Sequence, residues 1–101
     1  MSEQAVVGRI VISKAGRDKG KVFVIVAPYG GGSADAAAEV DYVMIANGKE
    51  RLLAKPKKKK LRHLAITNTV LEPLQAKLLN CLPVFDAEIR KLLAEYAGGA
   101  S

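Results

Sequence analysis

A mainly β domain with helices at its C-terminal end is predicted by three features of the chain. Its first 66 residues hold five short runs rich in β-branched or apolar residues. Glycine, asparagine or proline turn signals separate these runs. After Thr67 the apolar spacing changes from two residues to the helical 3.6, with Leu71, Leu74, Leu78 and Leu82 recurring on one face. Five short strands joined by tight turns within about 60 residues suit a small, partly open five-stranded barrel. The expected organisation is a barrel over residues 1–66 and a helical extension over 67–101, packed together as one domain.

In order, residues 6–14 (VVGRIVISK) form the first expected strand. Residues 14–21 (KAGRDKGK) break it with Gly16 and Gly20, which can take positive φ. Residues 21–26 (KVFVIV) are apolar at both phases of the period-two pattern, so this strand must be covered on both faces. Residues 27–39 lose apolar bulk except Tyr29 and include Gly30, Gly31 and Gly32, the composition of a mobile loop. Residues 41–46 (DYVMIA) resume as a strand, and Asn47-Gly48 signals a two-residue type I′ hairpin. The return strand is expected at 50–55 (ERLLAK), ending at Pro56, and a fifth strand at 61–66. Two helices close the chain, one over 71–82 with Pro73 in its first turn, and one from an Asp86 cap through Ala97 to Gly98. They are expected to cover the outer face of the strands at 21–26 and 41–46.

Charge is concentrated in one place. Residues 55–62 (KPKKKKLR) carry Lys55, Lys57, Lys58, Lys59, Lys60 and Arg62, and no acid. The chain has 16 basic and 10 acidic residues, so without this octet the charges balance. A cationic block on an otherwise neutral chain points to a polyanionic partner, nucleic acid first and an anionic membrane second, while a plainly solvated strand or loop, or a disordered arm, is the bland alternative. No run reaches the roughly 18 apolar residues of a membrane span, and a soluble, cytoplasmic protein is expected. Cys81 is the only cysteine and His63 the only histidine, so neither a disulfide nor a metal cluster is expected. Cys81 reads as a small buried residue on a helix. No catalytic residue and no cofactor are expected: Gly30 to Ser33 lacks the lysine of a phosphate-binding P-loop, and no carboxylates pair at a suggestive spacing.

The residues Val7-Gly8-Arg9-Ile10-Val11, then Ser13, Ala15 to Lys21 and Val22 to Val26 resemble the KOW motif of ribosomal and polymerase-binding proteins. Asn47-Gly48-Lys49 and the stretch from Lys55 to Leu64 are similar to a narrower group, the small bacterial KOW-domain RNA-binding proteins related to an archaeal and eukaryotic-type large-subunit ribosomal protein. The resemblance spans about residues 5–66; the stretch 28–39 is longer than the compact connection expected of that group. It implies an SH3-like barrel and RNA binding in the setting of the ribosome and translation, with ribosomal RNA as partner and ribosomal proteins as neighbours. No membrane and no small-molecule substrate are implied.

RNA contact would then fall to Lys14, Gly16, Arg17, Lys19, Gly20 and Lys21 in the turn and to Lys55, Lys57, Lys58, Lys59, Lys60, Arg62 and His63 in the octet region. Glycines let backbone approach a phosphate, Arg17 offers a planar fork, and lysines act as point charges that give affinity without base preference. Tyr29 is the candidate for base stacking, while Phe23 and Tyr42 read as core. The competing reading is a protein-docking KOW module that uses the helices or an open strand edge.

Overall fold

The computed structural model describes residues 7–28 and 42–98. The expected loop at 27–39, with Tyr29, lies outside the described residues from position 29 onward. Five strands follow in chain order: β1 (Arg9–Ser13), β2 (Val22–Pro28), β3 (Tyr42–Ala46), β4 (Lys57–Lys60) and β5 (Leu64–Val70). A 3-10 turn, Leu61–His63, joins β4 to β5, and two helices end the chain, α1 (Glu72–Leu79) and α2 (Asp86–Gly98). The strands form one antiparallel sheet in the order β4-β3-β2-β1-β5.

Period-two alternation sends apolar side chains to both faces of this sheet. On one face Val11, Phe23, Ile25, Val43 and Ile45 cluster with Leu61 and Leu64. On the other, Ile10 and Val24 meet Leu74 of α1 and Ile89 and Leu93 of α2. Register shifts between Arg9 and Val11 and between Ile25 and Ala27 mark irregularities that bend the strands. The sheet curls over its first cluster, and Leu61 in the 3-10 turn reaches into that cluster from the connection between the two outermost strands. The result is compatible with a partly open barrel whose outer face is packed by helices.

Four expectations change, the simplest being that the fifth strand, expected at 61–66, runs from Leu64 to Val70 because Leu61–His63 forms the 3-10 turn. The return strand is not at 50–55 but is the lysine run itself, with Tyr42 opposite Lys60, Val43 opposite Lys59, Met44 opposite Lys58 and Ile45 opposite Lys57. The Asn47 carboxamide is the cause: its Oδ1 accepts from the amides of Lys49 (2.9 Å) and Arg51 (3.0 Å), winding the chain into a longer loop instead of a two-residue hairpin. Leu53 from that loop packs into the helix-side cluster, and its amide donates to Asp86 Oδ1 at 2.8 Å. Gly48, at φ +76°, leans so closely on α2 that a Cβ would stand 2.5 Å from the Asp86 carbonyl oxygen. Third, the helix-side apolar cluster is built on β1 and β2, and β3 meets that face only with the small, fully buried Ala46 opposite Val24.

Fourth, Cys81 is exposed and lies beyond α1. At φ 56° it is the only non-glycine residue with positive φ among those described. Its amide bonds Leu78 O (3.3 Å) and the Leu82 amide bonds Lys77 O (2.8 Å), the two bonds of a Schellman helix end. Glycine is the usual occupant because a Cβ is strained in this conformation. Replacing Cys81 with Gly therefore raises stability by about 0.5–1 kcal/mol, the relief of left-handed strain less the entropy glycine adds to the unfolded chain. Urea denaturation of parent and variant measures the difference.

Candidate nucleic-acid interface

The turn at 14–21 is shaped by its own backbone. Gly20 N donates to Ser13 O (2.8 Å), Lys21 N to Asp18 O (2.9 Å) and Lys19 N to Gly16 O (3.2 Å). Gly16 and Gly20 take φ of +80° and +88°, and nothing lies within 4 Å of a Cβ built at Gly20. Glycine is thus needed here for its conformation, and the turn's surface is open to an approaching group. Lys14, Arg17 and Lys19 are exposed around it.

Asp18 is the exception in this basic turn. Its carboxylate is 6% exposed, and Oδ2 accepts from Lys57 Nζ at 3.1 Å and from Arg51 Nη2 at 3.2 Å. Burial would raise the Asp18 carboxyl, but the hydrogen bonds and charges of Lys57 and Arg51 outweigh it and hold the group below its ordinary value. A second tie runs from Lys59 Nζ to the Ala15 carbonyl at 3.1 Å. The turn and the lysine strand, about 40 residues apart in sequence, are therefore in direct contact.

Strand alternation divides the four lysines. Lys57 and Lys59 stand opposite Ile45 and Val43, on the face of the first apolar cluster, and carry their stems over it to reach the turn. Lys58 and Lys60 point to the other face, where the Lys58 ammonium lies 4.7 Å from the centre of the Tyr42 ring. Lys55 and Arg62 are exposed beside the strand. The Lys14 amide donates to His63 O at 2.8 Å, bringing the 3-10 turn to the start of the glycine turn. Burial first, and then the charges of Arg62, Lys60, Lys59 and Lys14, lower the pKa of His63. Lys21, at the end of the turn, is held in an ion pair with Glu50 at 3.1 Å.

Sequence reasoning placed all thirteen residues near two segments and missed the acid that joins them. The available signal was a lone carboxylate between two glycines in a basic turn. Arg51 was also missed, because only the loop that displaced the expected strand delivers it to Asp18. Among the described residues no helix is long and apolar enough to cross a membrane. No protein-family model matches the chain, and no curated protein matches it.

The ion network sets a pH dependence. The folded-state pKa of Asp18 is depressed, so its contribution to stability is complete above the unfolded value near 4 and is lost as pH falls through the lower folded value. Asp18→Asn costs about 1–3 kcal/mol at neutral pH, and the gap to the parent closes as pH falls through the depressed folded-state value. Urea midpoints measured across pH test this; a gap that stays constant into acid would show that the carboxylate's charge is not what holds the turn.

Proposed function

We propose that this chain is an RNA-binding protein of the KOW type, built on an SH3-like barrel and acting on ribosomal RNA in the setting of translation. The observation that supports it is the interlock of the glycine turn with β4 through Asp18–Lys57 and Ala15–Lys59, which makes one surface of two basic segments. One buried carboxylate serves two cations, so the surface keeps a positive excess after its internal pairing. Lys14, Arg17, Lys19, Lys58 and Arg62 remain exposed and Lys60 half-buried. Such a surface suits the phosphate backbone and the shape of folded RNA more than base sequence.

The lysines do different work within this reading. Lys57 and Lys59 hold the turn, while Lys58 and Lys60 point to the other face of this edge strand and would join the contact only where bound RNA wraps around the sheet edge. Changing Lys58 and Lys60 together to Gln weakens binding to ribosomal RNA about tenfold or more at low salt and reduces the slope of log K against log salt by about 1.5. Filter binding over a salt series measures both; an unchanged slope would remove these lysines from the contact.

His63 reports on the same zone. RNA phosphates would offset the charges of Arg62, Lys60, Lys59 and Lys14 that lower its pKa, so binding takes up a proton. Affinity then rises as pH falls through the range in which His63 takes up its proton, and His63→Gln flattens this rise. Fluorescence anisotropy titrations at several pH values check it.

One observation favours a second reading, a protein-docking module: Leu79, Leu82 and Phe85 are exposed at the junction of α1 and α2, Phe85 by 67%. Nuclease treatment of a lysate separates the two, since association with ribosomal particles is lost if RNA is the partner and survives if a protein is.

A further inference from the structure

A cleft of about 340 Å³ opens where the start of β2, the loop after β3 and the second half of α2 meet. Its volume lies at the small end of ligand sites, too little for a helix and suited to one nucleotide unit. Val22, Leu93 and Ala94 give it an apolar wall, and Lys21, Lys49 and Arg90 bring three cations to its lining against the single carboxylate of Glu50. Arg90 is held in place by a 2.7 Å bond from Nη1 to the Gly48 carbonyl, and a guanidinium anchored at one nitrogen keeps donors on its others for a phosphate. The Lys21–Glu50 pair is about half exposed on both sides, a weak pair that yields to a stronger anion. Lys21 also ends the glycine turn, so the cleft adjoins the interface already described.

We propose that this cleft receives one nucleotide unit turned out of the bound RNA, its base against Val22, Leu93 and Ala94 and its phosphate at Lys49 and Arg90. The proposal rests on the RNA-binding reading and adds a place where single-stranded RNA is distinguished from duplex. Among the described residues no aromatic ring lines the cleft, so the base is held by apolar contact and every base is accepted with little preference. The same chemistry would admit a free mononucleotide.

Two variants outside the turn and β4 test this. Ala94→Leu fills the cleft from an exposed helix position with a strong helix former, and Lys49→Gln removes an exposed phosphate partner. Binding of a short oligouridylate and of an RNA duplex of equal length is measured for each, with urea midpoints confirming intact folds. Methyl NMR of Val22 and Leu93 follows addition of uridine monophosphate. Ala94→Leu is expected to weaken the oligouridylate about five- to tenfold with duplex binding unchanged; Lys49→Gln weakens the oligouridylate as well, and the mononucleotide shifts both sets of methyls in the parent only. Parent-like oligouridylate binding by Ala94→Leu, or equal losses on single strand and duplex, would overturn the proposal and leave the RNA-binding reading standing. Shifts with uridine monophosphate in a protein that binds no RNA would keep the cleft as a free-nucleotide site and overturn its place in an RNA contact. Neither shifts nor RNA binding would overturn both.

Discussion

One oxygen of Asp18, nearly shut off from solvent, accepts from Lys57 and Arg51 together. Three segments depend on that meeting: the glycine turn that carries the acid, the loop after β3 that carries the arginine, and β4 that carries the lysine. A carboxylate so buried is costly unless well paired, and two cationic partners supply the compensation. The network also divides the lysines of the run. Lys57 and Lys59 are drawn inward to the turn, and the burden of outward charge passes to their alternating neighbours and to Lys14, Arg17 and Arg62.

The sheet has an apolar cluster on each face, and the doubly apolar pattern of residues 21–26 states that requirement directly. Phe23 and Ile25 serve the curled interior, whereas Val24 serves the helices. The helix-side packing fixes more than stability. It seats the loop after β3 on the start of α2 through Gly48 and the Leu53–Asp86 bond, and that seating helps present Arg51 toward the glycine turn. Elements distant from the basic surface thus govern its geometry.

Much of this was legible in the residues, for reasons that also explain what was not. β1, β2 and β3 are apolar runs bounded by turn signals, and α1 and α2 carry helical spacing, Pro73 in a first turn and Asp86 at a start. β4 was hidden because a ladder is made by backbone, and four lysines satisfy it as long as their stems can lie along apolar surface. The run ERLLAK resembles a strand by composition, yet the Asn47 side chain diverts the backbone before a ladder can begin. The acid that ties the glycine turn to the lysines was invisible because counting charges treats every carboxylate as mere balance. The Cys81 corner escaped notice since helix ends of its kind ordinarily announce themselves with glycine.

β4 stands at one margin of the sheet, with β3 on its only paired side among the described residues. A margin strand offers unpaired backbone to any similar strand, including that of a second molecule. Here the would-be zipper carries a lysine at every position, so two copies brought side by side would set like charges against each other along its whole length. The same run of charge that suits the proposed polyanion would thus disfavour edge-to-edge pairing of two copies.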